Sequence, residues 1–120
     1  MLTLEEKACN AETWTHINRV QFYLNMFVKE LLDRGNVHDQ SKLAEPEVAL
    51  FTKLTEKLSG LTYGSPEYKE SLKELGPALE HHYAKNRHHT EHYSNGIEGM
   101  NLVDIIELFC DWKAATERHH

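Results

Sequence analysis

Cysteine is scarce in this chain: Cys9 and Cys110 are the only two in 120 residues, and neither stands in a C-x-x-C pair. That excludes a disulfide framework and fits reduced thiols in a cytoplasmic protein. Long apolar runs are also missing, since no stretch approaches the roughly 18 consecutive apolar residues of a membrane helix. The start, from Met1 to Glu6, has neither a basic cluster nor an apolar run, so no secretory signal and no membrane partner are expected. Positive charge is short as well. Thirteen Lys and Arg face nineteen Asp and Glu, giving a formal net charge of −6 with the nine His counted neutral. A surface that grips long nucleic acid normally carries a basic stripe, so that class of partner is excluded. A small anionic substrate remains compatible, because a bound metal and a few local cations reverse the sign inside a pocket. Period-two alternation of apolar and polar residues is absent too, and with it any predicted strand.

What is present is helical periodicity. Ile17, Val20, Leu24, Phe27 and Leu31 repeat at spacings of three and four, which predicts a first helix from about Ala11 to Leu32, closed by Arg34-Gly35-Asn36. A short helical turn or junction is expected over Val37 to Leu43. Pro46 opens a second helix reaching about Leu58, with Val48, Leu50, Phe51 and Leu54 on its apolar side. Ser65-Pro66 supplies an N-cap and a first-turn proline for a short helix to about Leu75. Pro77 opens the next, from Ala78 to about Lys85. Asn86 to Met100 reads as an ordered loop. Asn101 caps the last helix with Asp104 at the favourable third position, and Leu102, Ile105, Ile106, Phe109 and Trp112 are its expected core face. Cys110 is expected to point into packing. The reading is an all-α single compact domain over residues 1–120, with five or six helices around one hydrophobic core.

The informative residues are imidazoles and carboxylates. His38-Asp39 is followed at once by Ser41 and Lys42; His16 lies upstream on a helix, Asp111 lies downstream on another, and His81, His82, His88, His89 and His92 fall between. Imidazole and carboxylate are the donors that hold Zn, Fe, Mn, Ni or Co. Each of these residues alone has an ordinary explanation as a packed histidine or a salt-bridged aspartate, and Asp111 has Arg19 and Lys113 as possible ionic partners. Their combination points to a metal site with room for water, as a catalytic centre requires. Glu12 lies one helical turn before His16 and faces the same way. Five His within residues 81–92 exceed chance decoration. Adjacent His on a helix point about 100° apart, so one of His81 and His82 is the ligand; His82 is preferred, with His81 turned to a carboxylate or to solvent. Both His88 and His89 stay in the candidate set, while His119 and His120 are left out of it.

The order His16, His38-Asp39, Asp111 resembles the HD-domain superfamily of metal-dependent phosphohydrolases. His38-Asp39-Gln40-Ser41-Lys42 is similar to its H-D-x-x-K signature. The resemblance implies an HD-like helical fold, one or two divalent ions held by His16, His38, Asp39 and Asp111, and a second ion on His82, His88 and His89. The segment from Arg87 to Gly99 is similar to a loop of the HD-GYP branch but lacks its G-Y-P. The whole chain more closely resembles an uncharacterised family of small phage and bacterial proteins, through H-D-x-S-K-L, T-Y-G-S-x-E-Y-K and H-H-Y-x-x-N-R-H-H.

The chemistry implied is hydrolysis of a nucleotide or another small phosphate ester by metal-activated water. Asp39 or Glu12 would serve as base, and Lys42, Lys85 and Arg87 would supply positive charge to phosphate oxygens. Lys42 has an equally ordinary alternative, pairing with Glu45 or Glu47. Tyr63, Tyr68, Tyr83 and Tyr93 are available to line a pocket. A di-iron HD-type oxygenase and a non-catalytic metal-stabilised binding protein are the competing expectations.

Overall fold

The computed structural model describes residues 1–118; His119 and His120 lie outside the described residues. The protein is all-α, with five α-helices and no strand among those residues. None of the helices is long and apolar enough to cross a membrane. The chain divides into two units, residues 1–36 and 37–120, and each is described by itself.

The first unit is almost entirely helix α1, Leu4–Val37, whose last residue is counted with the second unit. Its start is set by a reciprocal cap, in which the Thr3 amide donates to Glu6 Oε2 (2.7 Å) and the Glu6 amide donates to Thr3 Oγ1 (3.0 Å). That capping box begins the helix seven residues before the predicted Ala11, and its T-x-x-E signature stood in the sequence. The predicted stop at Gly35 also fails. The helix runs through it to Val37, because one glycine inside a helix costs only about 1 kcal/mol. Pairs one turn apart line the helix: Arg19 donates to the Tyr23 hydroxyl, and Lys29 pairs with Asp33 at 3.2 Å.

The second unit holds a 3-10 turn at Gln40–Leu43, then α2 (Glu47–Ser59), α3 (Pro66–Lys73), α4 (Gly76–Lys85) and α5 (Leu102–Ala115). Helix α2 packs on the turn, on α3 and on α4. The Ser65 hydroxyl accepts from the Tyr68 amide and caps α3, with Pro66 in its first turn. Asn101 and Asp104 form the predicted capping box at the head of α5. The segment from Asn86 to Met100 is the expected ordered loop, with short 3-10 turns at Thr90–His92 and Gly96–Gly99.

Among the described residues, Leu54, Leu75, Ala78, Met100, Val103 and Leu108 are the buried apolar side chains. The face of α5 that turns inward differs from the predicted one. Val103, Asp104 and Leu108 are buried, whereas Leu102, Ile105, Phe109 and Trp112 are exposed, and Cys110 is exposed as well. The physical reason is that polar anchors on α5 set its rotation. Asp104 and Asp111 lie along one helical line with Leu108 and reach partners in the loop and the turn.

Candidate metal centre

Local structure delivers the ligand candidates one element at a time. Asp39 heads the 3-10 turn in a left-handed conformation, φ 54° and ψ 12°, a region that Asp and Asn tolerate better than other non-glycine residues. The turn closes with the Lys42 amide on the Asp39 carbonyl at 2.9 Å. Helix α4 carries His82 and ends at Asn86. The Asn86 amide nitrogen donates to the His82 carbonyl (2.8 Å) and to Ser41 Oγ (2.9 Å), tying the end of α4 to the turn. His88 and His89 follow immediately in the loop. Glu107 and Asp111, four residues apart, come from α5.

Asp39, His82, His88 and His89 each offer one ligand atom, and the four atoms lie within 4.8 Å of one another. His38, His88 and Asp111 form a second such group that shares His88. In the first group, His82 Nε2 lies 2.9 Å from His89 Nε2 and 3.2 Å from Asp39 Oδ1, and His88 Nε2 lies 3.2 Å from the same oxygen. Metal–ligand bonds of about 2.1 Å set neighbouring donors about 3.0 Å apart in an octahedron and about 3.4 Å apart in a tetrahedron. The two separations of 3.2 Å fall in that interval, and the 2.9 Å between His82 and His89 lies just below it. The second group is more open: His38 Nε2 is 3.6 Å from Asp39 Oδ2 and 3.8 Å from Asp111 Oδ1, and His88 Nε2 is 3.5 Å from Asp111 Oδ2.

Behind the imidazoles stand two carboxylates. Glu47, fully buried in the first turn of α2, accepts from His81 Nδ1 at 2.6 Å and from His82 Nδ1 at 2.7 Å. Glu107 Oε2 accepts from His38 Nδ1 at 2.8 Å and lies 2.9 Å from His88 Nδ1. A carboxylate on Nδ1 fixes the ring so that Nε2 faces the metal side, an arrangement typical of ligating histidines.

The charges follow from this packing. Burial pushes the Asp39 carboxyl up, but His82, His88, Lys42 and His38 around it outweigh burial and hold it well below the usual carboxylate range. Glu47 is likewise lowered: its burial opposes ionisation, and the Ser41 hydroxyl with His81 and His82 overcomes it. For His82, burial disfavours the charged ring, yet the neighbouring Asp39 and Glu47 carboxylates raise its pKa above 6.5. Burial beside His88 and His82 drives His89 the other way, to about 4. Asp39 and Glu47 thus favour the charged ring of His82, whereas the surroundings of His89 favour its neutral ring. Asp39 Oδ1 and both ring nitrogens of the fully buried His88 make no hydrogen bond. Buried polar atoms are almost always satisfied, so Asp39 Oδ1 and His88 Nε2, which face each other at 3.2 Å, fit a cation held by this donor set, whereas His88 Nδ1 faces Glu107.

The remaining sequence candidates fall into place unevenly. Lys42 pairs with Asp39 Oδ2 at 3.2 Å and lies over the Phe51 ring, rather than pairing with Glu45 or Glu47. His81 turns to a carboxylate, as expected, and His92 Nδ1 donates to the Tyr83 carbonyl. His16 and Glu12 are both exposed on α1, in the first unit, and belong to neither group. Arg87 does not stand free for phosphate. Its guanidinium spans both oxygens of buried Asp104 at 3.2 Å, and Tyr93 donates to the same carboxylate at 2.7 Å. Tyr63 is exposed and packs at a tilt against Tyr68, while Tyr83 meets the His82 and His89 rings. Sequence reasoning missed Glu47 and Glu107 as partners of the imidazoles. The spacing of Glu107 from Asp111 was a usable signal, since residues four apart share a helix face; nothing local linked Glu47 to His82.

Fold and site together define an all-α protein with a His- and Asp-lined candidate metal centre. The chain belongs to the family described as "Family of unknown function (DUF5662)", which it matches over residues 5–120. No curated protein and no solved structure matches it.

Proposed function

We propose that this protein is a divalent-metal-dependent phosphohydrolase acting on a nucleotide or another small phosphate ester. The observation that carries the reading is the convergence of Asp39 Oδ1 with the Nε2 atoms of His82, His88 and His89, two of these residues bearing buried atoms without hydrogen bonds. Asp39, His82, His88 and His89 would hold a divalent ion, which would supply water of pKa about 7 and polarise a phosphoryl oxygen. Asp39, held ionised by its surroundings, would be a ligand through Oδ1 and would orient the attacking water by accepting its hydrogen bond at Oδ2. Lys42 sits half-exposed on that same oxygen and is placed to exchange it for a phosphate oxygen. His38 and Asp111 form a second donor group with His88, which would take a second ion.

The test is reconstitution of the purified protein with Mn, Co, Ni, Zn or Fe, followed by phosphate release from nucleoside mono-, di- and triphosphates. Metal should be retained and hydrolysis should follow; His82→Ala should lose both, and His92→Ala should keep both. Retained iron with oxygen consumption and no phosphate release would replace hydrolysis with oxidation. Failure to retain any metal after reconstitution would overturn every metal-dependent reading.

A further inference from the structure

The least explained residue of the site is Glu107. Its oxygen Oε2 lies at hydrogen-bond distance from two imidazoles at once, 2.8 Å from His38 Nδ1 and 2.9 Å from His88 Nδ1. The two rings lie side by side, with centroids 4.3 Å apart and planes inclined by 39°. The His38 bond is formed. The His88 contact has the length of a bond but not its direction, so both nitrogens of that buried ring are left unsatisfied. A carboxylate oxygen has two lone pairs, enough for two donors. A turn of the His88 ring would close the second bond, and a ligand on Nε2 would hold the ring in that position.

We propose that Glu107 is the positioning residue of the centre: one carboxylate oxygen that keeps the protons of His38 and His88 on Nδ1 and so turns both Nε2 lone pairs toward Asp39 and Asp111. This rests on the metal-centre reading above. The opposite tautomer sets an Nδ1 lone pair against a carboxylate oxygen and a proton where the ligand electrons are needed, so both changes count against binding. His88 is wholly buried and has no solvent to offset the loss. Glu47 acts in the same sense on His82, so three of the imidazoles near Asp39 are oriented by two outer carboxylates. Because Glu107 and Asp111 are one turn apart on α5, the helix fixes an inner carboxylate and the orienting one as a single rigid piece.

The test combines long-range ¹⁵N correlation NMR of the metal-free protein at pH about 8, where ordinary imidazoles are neutral, with titration by Co²⁺. In the wild type, His38 and His88 should carry the proton on Nδ1. Glu107→Gln, which keeps an uncharged acceptor, should shift at least one ring toward the other tautomer and weaken Co²⁺ binding about 10-fold; Glu107→Ala should shift both and weaken it about 100-fold. Glu80→Gln, exposed on α4, should change neither. Should Glu107→Ala fail to fold by circular dichroism, the Gln variant decides. Unchanged tautomers or unchanged Co²⁺ affinity in the folded variants would overturn the proposal. A wild type that binds no Co²⁺ would sink the metal-centre reading instead, and the tautomers would still report on Glu107.

Discussion

Replacing Asp104 by Ala should destabilise the protein by about 3 kcal/mol. Asp104 is fully buried and accepts from the Arg87 guanidinium at two points, from the Tyr93 hydroxyl and from the Asn101 amide. The Arg87 side chain is 48% exposed and returns to water, so its ion pair is discounted to about 1 kcal/mol or less. The Tyr93 bond ends on an ionised acceptor and contributes about 1.5 kcal/mol, near the low end for such bonds, since its single proton is shared with the Arg87 carbonyl. The lost capping box at the head of α5 contributes about 1 kcal/mol more. For a domain of this size the total corresponds to a Tm lowered by about 10 °C. Asp104→Asn, which preserves a cap acceptor but not the charge, should cost about half as much. Thermal unfolding by circular dichroism, checked by urea titration for an unchanged slope, measures both. The loop fastened by Asp104 carries His88 and His89, so Co²⁺ affinity should fall along with Tm. A Tm within about 2 °C of wild type in Asp104→Ala would refute this account of the network.

Metal uptake should release about one proton when the pH is below the raised pKa of His82, because the ion displaces the proton that His82 carries between Glu47 and Asp39. Calorimetry in buffers of different ionisation enthalpy reads this, and an enthalpy independent of buffer would contradict it. In the metal-free protein, the raised His82 contributes stability that is complete below its ordinary 6.5 and is lost as pH rises through its folded value. His89 works in the opposite sense: the unfolded chain takes its proton near 6.5 and the folded one only near 4, so falling pH across that window costs stability. Two glycines should respond with opposite signs. A Cβ on Gly99 would meet Asn95 Oδ1 at 2.5 Å and Tyr93 carbons at 2.8 Å, so Gly99→Ala should cost about 1–3 kcal/mol by displacing Tyr93. Gly35 lies within α1 with nothing within 4 Å of an added Cβ, and Gly35→Ala should gain about 0.5–1 kcal/mol.

The helices were legible because their signals are local. Ser65-Pro66, Gly76-Pro77 and Asn101-x-x-Asp104 each mark a boundary within a few residues, and the structure places helix starts there. The same kind of signal, Thr3-x-x-Glu6, was passed over, which is why α1 begins earlier than its apolar stripe suggests. The inward face of α5 was not legible. Its apolar residues wrap too much of the helix to choose a side, and the side was chosen by Asp104 and Asp111 through partners far away in sequence. Among the site residues, rare types carried the information: imidazoles concentrated in residues 81–92 and a His-Asp pair stand out from background. Glu47 and Glu107 belong to a class of nineteen acidic residues. Nothing in their own surroundings sets them apart until the chain folds.

The backbone of Asp39 restricts which residue can occupy that position at all. A φ of 54° admits glycine, asparagine and aspartate with little strain and penalises nearly everything else. Of those three only aspartate carries a negative charge. Glutamate would keep the charge but meets the conformational penalty and reaches one carbon further; asparagine would keep the turn but loses the charge; glycine would keep the turn and lose the side chain. Backbone and chemistry thus leave a single solution at this position. A chain that placed a longer carboxylate here would have to rebuild the turn between α1 and α2 at the same time, so the reach of this charged ligand and the loop that carries it change together.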